Sequence, residues 1–218
     1  MTRRRSAVIA ATVAAFMAAV LPAVASNTAY AATSQCGTGC ASLYNLIYGQ
    51  ADVIAVAGAS GTQANVGQPV ALLAASGTNQ GEDWVVEPEG TVGDFYAAGL
   101  VSAGLNLHYS NDQVYEYDYV PDGSFTGLCL GVAGTAGNGS PVSLQACGVS
   151  SHTLWVADVA DQQQRMIPLI NGSDTNFSAP YVLTADTAGI TMSTRNLSGA
   201  RGVIDDGQYW STIYGILP

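Results

Sequence analysis

Residues 129–155, CLGVAGTAGNGSPVSLQACGVSSHTLW, decide the fold, because two other segments of the chain follow the same plan. In the first of them, residues 53–58 align with 129–134, residues 67–72 align with 139–144, and the segment ends at Trp84. The third is looser, with residues 181–185 and 190–194 ahead of Trp210. Such self-similarity indicates units that bury their apolar faces only by packing together. The copies end at Trp84, Trp155 and Trp210, so we expect these tryptophans to be structurally equivalent.

The stretches between glycines and prolines are short and rich in Val, Ile, Leu and Tyr. This pattern is typical of closely spaced strands, and beyond residue 31 no long stretch keeps the 3.6-residue apolar period of a helix. The sequence therefore predicts an all-β domain. The tryptophans stand 71 and 55 positions apart, but the unit from Val53 to Trp84 is only 32 residues long. Extra chain therefore lies between the units.

The middle copy resembles the ricin-type β-trefoil family, whose four-stranded unit occurs three times. The family's Cys-Leu start, Gly-x-x-Val-x-Leu middle, second Cys and closing Trp match Cys129-Leu130, residues 139–144, Cys147 and Trp155. The third copy carries the literal Gln-x-Trp of the family at residues 208–210. The resemblance implies a β-trefoil with three Trp-containing repeats and an insertion after the first repeat.

The same resemblance sets the expected boundaries of the domain. We expect a signal peptide at 1–31, an N-terminal segment at 32–45 and the trefoil at 46–218. Its repeats would lie at about 46–85, 127–160 and 161–218, with an insertion and connecting strands at about 86–126. The three tryptophans would meet near a pseudo-threefold axis and bury a large apolar area. Gln208 would satisfy backbone groups at a turn.

The first residues are typical of an export signal. Arg3, Arg4 and Arg5 form a basic start, a short apolar run follows to about residue 20, and residues 29–31 offer a small-x-small cleavage pattern. Residues 23–25 offer a second one. We expect cleavage after Ala31 rather than after Ala25, which predicts a secreted, extracellular protein with no membrane anchor after cleavage.

The chain is strongly acidic once this leader is set aside. Three of its six basic residues lie in the first five positions and there is no lysine, so 3 basic residues remain against 16 acidic ones. A formal charge near −13 repels phosphate backbones and anionic lipids, so nucleic acid is not an expected partner. The plain interpretation is that this acidity keeps an exported monomer in solution.

Four cysteines in an exported chain predict disulfides rather than free thiols. Cys36 with Cys40 and Cys129 with Cys147 is the near-neighbour pairing among the three possible ones, and the second pair corresponds to the intra-repeat disulfide of the ricin-type family. Zinc is the competing use of these residues, but the spacing lacks a C-x-x-C or Cys/His pattern. We expect neither metal nor cofactor.

In the ricin-type family, sugar is held by an Asp after the first Cys-Leu, an aromatic ring and an Asn beside the Gln-x-Trp. The Asp position is Gly131 in the middle copy and Ala55 in the first. The ring position is Gln145 and the Asn position is His152. Gln145 and His152 are therefore the candidate sugar contacts of the middle copy, in a site without the family's carboxylate.

A second candidate is the segment Tyr115, Glu116, Tyr117, Asp118, Tyr119. On a strand its three tyrosines share one face and its two acids share the other. An exposed tyrosine ladder would stack on sugar rings or anchor a protein partner. Alternatively, the tyrosines pack on the barrel and the acids face water. Leu105, Leu107 and Tyr109 alternate in the same way and fit a neighbouring strand.

No signature of an enzyme stands out. Gly-x-Ser-x-Gly, His-Glu-x-x-His, phosphate-loop and calcium-loop patterns are absent from the sequence. His108 and His152 are expected to be structural or surface residues. Paired carboxylates can hydrolyse glycosides, and Glu82, Asp83, Glu87, Glu89 and Glu116 supply acids, but 16 acidic residues make such pairs common by chance.

These observations predict a non-catalytic secreted binding protein whose partner is extracellular carbohydrate. The alternative is a protein-binding module or hydrolase inhibitor that uses residues 85–126 to contact a secreted protein, with the lectin sites lost. A small hydrolase is the third hypothesis.

Overall fold

The computed structural model describes residues 40–58, 64–75, 80–148, 150–176, 179–185, 192–197 and 204–214. The chain divides into two units, 1–31 and 32–218, and all described residues lie in the second. The predicted signal peptide and Cys36 lie outside these ranges.

The all-β expectation is confirmed, with two short helices added. The strands are β1 Ala41–Asn45, β2 Gly49–Val56, β3 Val70–Ala74, β4 Trp84–Thr91, β5 Gln113–Tyr119, β6 Leu128–Val132, β7 Ser140–Ala146, β8 Trp155–Ala157, β9 Leu169–Asn171, β10 Tyr181–Ala185, β11 Met192–Asn196 and β12 Trp210–Tyr214. The helices are α1 Val92–Ala97 and α2 Ala103–Tyr109. Single 3₁₀ turns span Gln80–Glu82, Pro121–Gly123, Val159–Asp161 and Asp206–Gln208.

Six of the strands form a closed barrel. Antiparallel pairing runs from β12 to β1, β4, β5, β8 and β9 in turn. A bridge between Ile167, just before β9, and Trp210 in β12 completes the ring. The barrel begins earlier than the boundary expected at residue 46, because β1 at 41–45 pairs with β12 over five residues.

The other six strands form three hairpins, β2–β3, β6–β7 and β10–β11. The hairpins contact one another, since β11 pairs with β7 and Pro69 bridges to Ser143 in β7. They lie at one end of the barrel. The β4–β5 and β8–β9 connections lie at the other end, which we call the open end.

The three tryptophans hold the hairpins to the barrel in the same way. Each is buried, and each donates its indole N–H to a carbonyl of the first strand of a hairpin. Trp84 donates to Ile54 O at 3.0 Å, Trp155 to Leu130 O at 2.9 Å and Trp210 to Leu183 O at 2.8 Å. Ile54 and Leu130 are aligned positions of the first two sequence segments, so that alignment matches the observed register, and Leu183 lies in the third segment.

The connection between β4 and β5 contains α1 and α2, and these helices cover the outer face of the barrel. Val92, Phe95 and Leu105 are buried in a second apolar cluster with Val114 of β5 and Val156 of β8. A capping box starts α1, because the Thr91 hydroxyl accepts from Asp94 N–H and the Asp94 carboxylate accepts from Thr91 N–H. Residues 85–126 are therefore two barrel strands plus a helical segment at 92–109.

The strand expected at residues 105–109 is wrong, because these residues form α2. Ser102 caps this helix by accepting a hydrogen bond from Leu105 N–H at 3.2 Å. The helical turn buries Leu105 and leaves Leu107 74% exposed, whereas a strand would have placed both on one face.

Candidate functional site

The tyrosines of β5 do not form an exposed ladder. Tyr117 is 4% exposed and Tyr119 is fully buried, and both point into the barrel. The Tyr119 ring centroid lies 5.6 Å from that of Trp84. Tyr115 is half-buried. The alternative interpretation, a tyrosine face packed on the barrel, is the correct one for Tyr117 and Tyr119, since β5 pairs with β4, β6 and β8.

The acids on the other face of β5 do not face water either. Glu116 and Asp118 are only 6% and 9% exposed. The hydroxyl of Thr153 donates to the Glu116 carboxylate, and Gly148 N–H donates to it at 3.4 Å. Glu116 is thus held by the second hairpin and its following loop, not presented to a ligand.

Asp118 lies against the disulfide. Cys129 and Cys147 are bonded as predicted, and Asp118 Oδ1 lies 2.8 Å and 2.9 Å from their sulfur atoms. Burial, reinforced by the carboxylates of Glu87, Glu116 and Glu89, raises the pKa of Asp118 to about 7. A protonated Asp118 donates its proton to sulfur in this geometry, whereas a carboxylate only repels the sulfur lone pairs. Cys40 is also in a disulfide.

The sugar positions implied by the ricin-type resemblance do meet in the middle copy, but there is no room for a side chain at Gly131. A Cβ built on Gly131 would lie 2.8 Å from the backbone O of His152 and 3.0 Å from Cγ of Gln145. The Gln145 amide donates to Ser143 Oγ at 2.8 Å. The Nδ1 atom of His152 is buried and has no hydrogen-bond partner among the described residues. The space that an aspartate would need is filled by the chain itself.

The corresponding positions of the other two copies are closed as well. Ala55 in the first copy is fully buried, and Thr184 in the third is 9% exposed. The Gln208 amide donates to Thr184 Oγ1 at 3.3 Å and to Asn196 O at 2.8 Å. Gln208 therefore has the role expected of it, since it satisfies a backbone carbonyl where the hairpin returns.

An open polar groove lies instead at the open end of the barrel, beside the helices. Its volume is about 330 Å³, and residues from the end of α2 and from the 3₁₀ turn after β8 line it. We call it the α2 groove and define it by its lining residues His108, Tyr109, Ser110, Asn111, Asp112, Asp158, Ala160 and Asp161. It combines two rings, three carboxyl groups, an amide and a hydroxyl.

Burial controls the charge of this groove. Asp158 is 1% exposed and accepts a hydrogen bond from Asp161 N–H at 3.3 Å. Burial and the neighbouring Asp161 carboxylate raise the pKa of Asp158 to about 6, and burial raises the pKa of Asp112. At acidic pH the groove therefore offers carboxylic acid donors in addition to carboxylate acceptors.

Comparison with known proteins identifies the fold of this chain. Neither a protein-family model nor a curated protein matches the chain. Among solved structures it is similar to ThreeFoil, a designed threefold-symmetric protein, at TM-score 0.52 and 19% identity over 80% of this chain and 98% of that one. It is also similar to the Haemophilus ducreyi cytolethal distending toxin at TM-score 0.50 and 10% identity, over 83% and 86% of the two chains.

The fold is a β-trefoil. The predicted resemblance is confirmed at the level of fold. Sequence identities this low do not support any statement about function. Within a β-trefoil the α2 groove lies away from the hairpins that bear the ricin-type sugar positions. The described residues contain no helix long and apolar enough to cross a membrane.

Sequence reasoning missed the α2 groove because its two sides lie almost 50 residues apart in the chain. His108 lies in the last turn of α2 and Asp112 follows that helix, whereas Asp158 and Asp161 follow β8. The closed barrel brings the two connections together, and nothing in either segment alone marks the contact. The one available signal was three acids, Asp112, Asp158 and Asp161, that lie outside the aligned repeat segments.

Proposed function

We propose that this β-trefoil is a secreted, non-catalytic, monomeric carbohydrate-binding protein whose sugar site is the α2 groove. The supporting observation is the composition of the groove, which joins carboxyl groups, the Asn111 amide and the Tyr109 ring around an open volume of about 330 Å³. These are the three chemical elements of a shallow sugar site. Carboxylates accept hydrogen bonds from paired hydroxyls, an amide both donates and accepts, and a ring supports the apolar face of the sugar.

The closed repeat positions support this location. A pyranose needs a carboxylate and a ring within one open cleft, and the middle copy has Gly131 with no room for a side chain. The tyrosines of β5 are unsuitable because Tyr117 and Tyr119 are core residues. We further propose that the chain is built of three equivalent Trp-containing repeats, with α1 and α2 as an insertion after the first.

The test is a glycan array, with insoluble-polysaccharide pulldown, on the wild type and on two groove variants, Asn111→Ala and Asp161→Asn. Each variant should weaken binding by about tenfold or more, because a hydrogen bond to a charged or amide group is lost. Asp52→Asn on β2 is the matched control, since it removes one carboxylate outside the groove. Blank arrays for the wild type would sink carbohydrate binding, and unchanged binding by both groove variants would move the site elsewhere.

A protein partner is the second candidate function, and the helices give it a specific observation. Tyr96 on α1 is 43% exposed and Leu107 on α2 is 74% exposed, so each helix presents a large apolar side chain to a partner. Deleting residues 85–126 would not test this, because β4 and β5 belong to the barrel. A Tyr96→Ser, Leu107→Ser double variant should lose a captured secreted protein, and Val66→Ser, at another exposed apolar position, should retain it.

Export itself is part of the proposal and has a separate test. Cleavage after Ala31 leaves a mature chain that begins eight residues before the described part of the structure, with both predicted disulfides intact. N-terminal sequencing of the secreted product should begin at Ala32. A start at Ser26 would move the cleavage site to the second pattern, and recovery of the uncleaved chain in cells would contradict export.

A further inference from the structure

A second cavity lies inside the open end of the barrel. Its volume is about 160 Å³, and four strands of the ring contribute to its walls, with Leu43 on β1, Tyr115 and Tyr117 on β5, Leu169 on β9 and Trp210 on β12. No acidic residue lines it, although the chain contains 16 of them. Ser211 and Thr212 also line the cavity, but most of its lining side chains are apolar or aromatic, which suits a ligand with an apolar body.

The only charged side chain that lines this cavity is Arg165. It is exposed, so its guanidinium lies at the rim and not within the walls. Beyond the leader the chain has just two other basic residues, Arg195 and Arg201. An anion approaching this surface is repelled almost everywhere else.

The backbone that presents Arg165 is strained. Gln164 and Arg165 have φ angles of 51° and 66° and form a two-residue turn. Gln163 N–H donates to Met166 O at 2.9 Å, and Met166 N–H donates to Gln163 O at 2.7 Å, which closes it. Turns with two positive φ angles favour Asn-Gly, whereas residues with long side chains adopt them at a cost in free energy. A strained position that places a charged group at the rim of a cavity is the usual mark of a site.

We propose that the open end of the barrel binds a small organic carboxylate with an apolar body about the size of a benzene ring. The carboxylate pairs with the Arg165 guanidinium in a two-point contact, which the planar fork of arginine favours. The ring lies among Trp210, Tyr115 and Tyr117. An apolar cavity of about 150 Å³ accommodates benzene, so the size is suitable. This site is separate from the α2 groove and does not depend on carbohydrate binding.

The test is isothermal titration calorimetry of the purified protein with three probes. Benzoate carries both the ring and the charge, benzamide keeps the ring without the charge, and glucuronate keeps the charge on a polar ring. The variants are Arg165→Gln and, as a control with the same change in net charge, Arg195→Gln on β11. Arg165 is an exposed turn residue, so its variant should fold, and near-UV circular dichroism confirms it.

We expect saturable binding of benzoate to the wild type and to Arg195→Gln. Benzamide and glucuronate should bind the wild type about tenfold more weakly than benzoate, or worse, and Arg165→Gln should bind benzoate about tenfold more weakly than the wild type, or worse. Each of these pairs lacks either the charge pairing with Arg165 or the apolar ring. No saturable benzoate binding up to about 10 mM would overturn the proposal. Equal affinity for benzamide, equal affinity for glucuronate, or undiminished binding by Arg165→Gln would overturn it as well.

Discussion

Gly131 occupies the position where sugar-binding members of the ricin-type family carry an aspartate, and the structure leaves no room there for a side chain. Gly131→Ala should destabilise the protein by about 1–3 kcal/mol, because its Cβ would overlap the backbone O of His152 at 2.8 Å. Gly137→Ala is the matched control, since its Cβ meets only Ser140 Oγ at 3.4 Å. Urea unfolding of both variants checks this. Equal stability of Gly131→Ala and the wild type would show that the position can open and could admit a sugar-binding side chain.

Asp118 should make stability depend on pH, because its pKa rises from 3.8 to about 7 in the folded protein. The folded chain holds this proton more tightly than the unfolded one, so stability falls as pH rises from about 4 to about 7. Asp118→Asn removes this loss, and its Tm relative to the wild type should therefore increase across that range.

The control for this measurement is Asp94→Asn, whose Tm difference from the wild type should not change between about pH 4 and about pH 7. Hydrogen bonds from the Thr91 hydroxyl and backbone N–H lower the pKa of Asp94, so its carboxylate stabilises the fold above pH about 4. That variant should lose Tm relative to the wild type as pH rises to about 4, and the Tm difference should then stay constant from about pH 4 to about pH 7. Parallel Tm profiles for Asp118→Asn and the wild type would show that burial and the Glu87 carboxylate do not raise the pKa of Asp118.

At the scale of the element, α2 places Leu105 and Leu107 on different faces, whereas a strand would place both on one face. Leu105 is 1% exposed and Leu107 is 74% exposed. Leu105→Ala should cost about 2–5 kcal/mol, whereas Leu107→Ala should change stability by no more than about 0.5 kcal/mol. Thermal or urea unfolding of the two variants, which delete the same atoms, measures the difference. Similar losses from both would mean that the segment packs as a strand.

These helices also show where sequence reasoning stops. Alternating leucines at 105 and 107 fit a strand and a helix equally well over so short a run, and the deciding contact is Ser102 capping the next turn. The likeness of the first two sequence segments could be seen in advance because Gly58 matches Gly134 and Gly67 matches Gly139. The acids of β5 were misjudged because one strand alone cannot reveal that both of its faces are covered, here by the barrel core and by the second hairpin.

At the scale of the whole molecule, the three tryptophan hydrogen bonds suggest that each unit contributes equally to closing the barrel on its hairpins. Trp84→Phe, Trp155→Phe and Trp210→Phe each remove one buried N–H donor, leave a carbonyl of Ile54, Leu130 or Leu183 unpaired, and open a small void. Each should cost about 2–4 kcal/mol.

Urea unfolding followed by far-UV circular dichroism measures these costs without relying on tryptophan emission. Tyr96→Phe, at an exposed aromatic position, is the control and should be neutral. Three costs within about 1 kcal/mol of one another would support equivalent repeats despite the looser sequence of the third. A near-neutral Trp210→Phe would instead show that the third unit closes the barrel through other contacts, such as the pairing of β12 with β1.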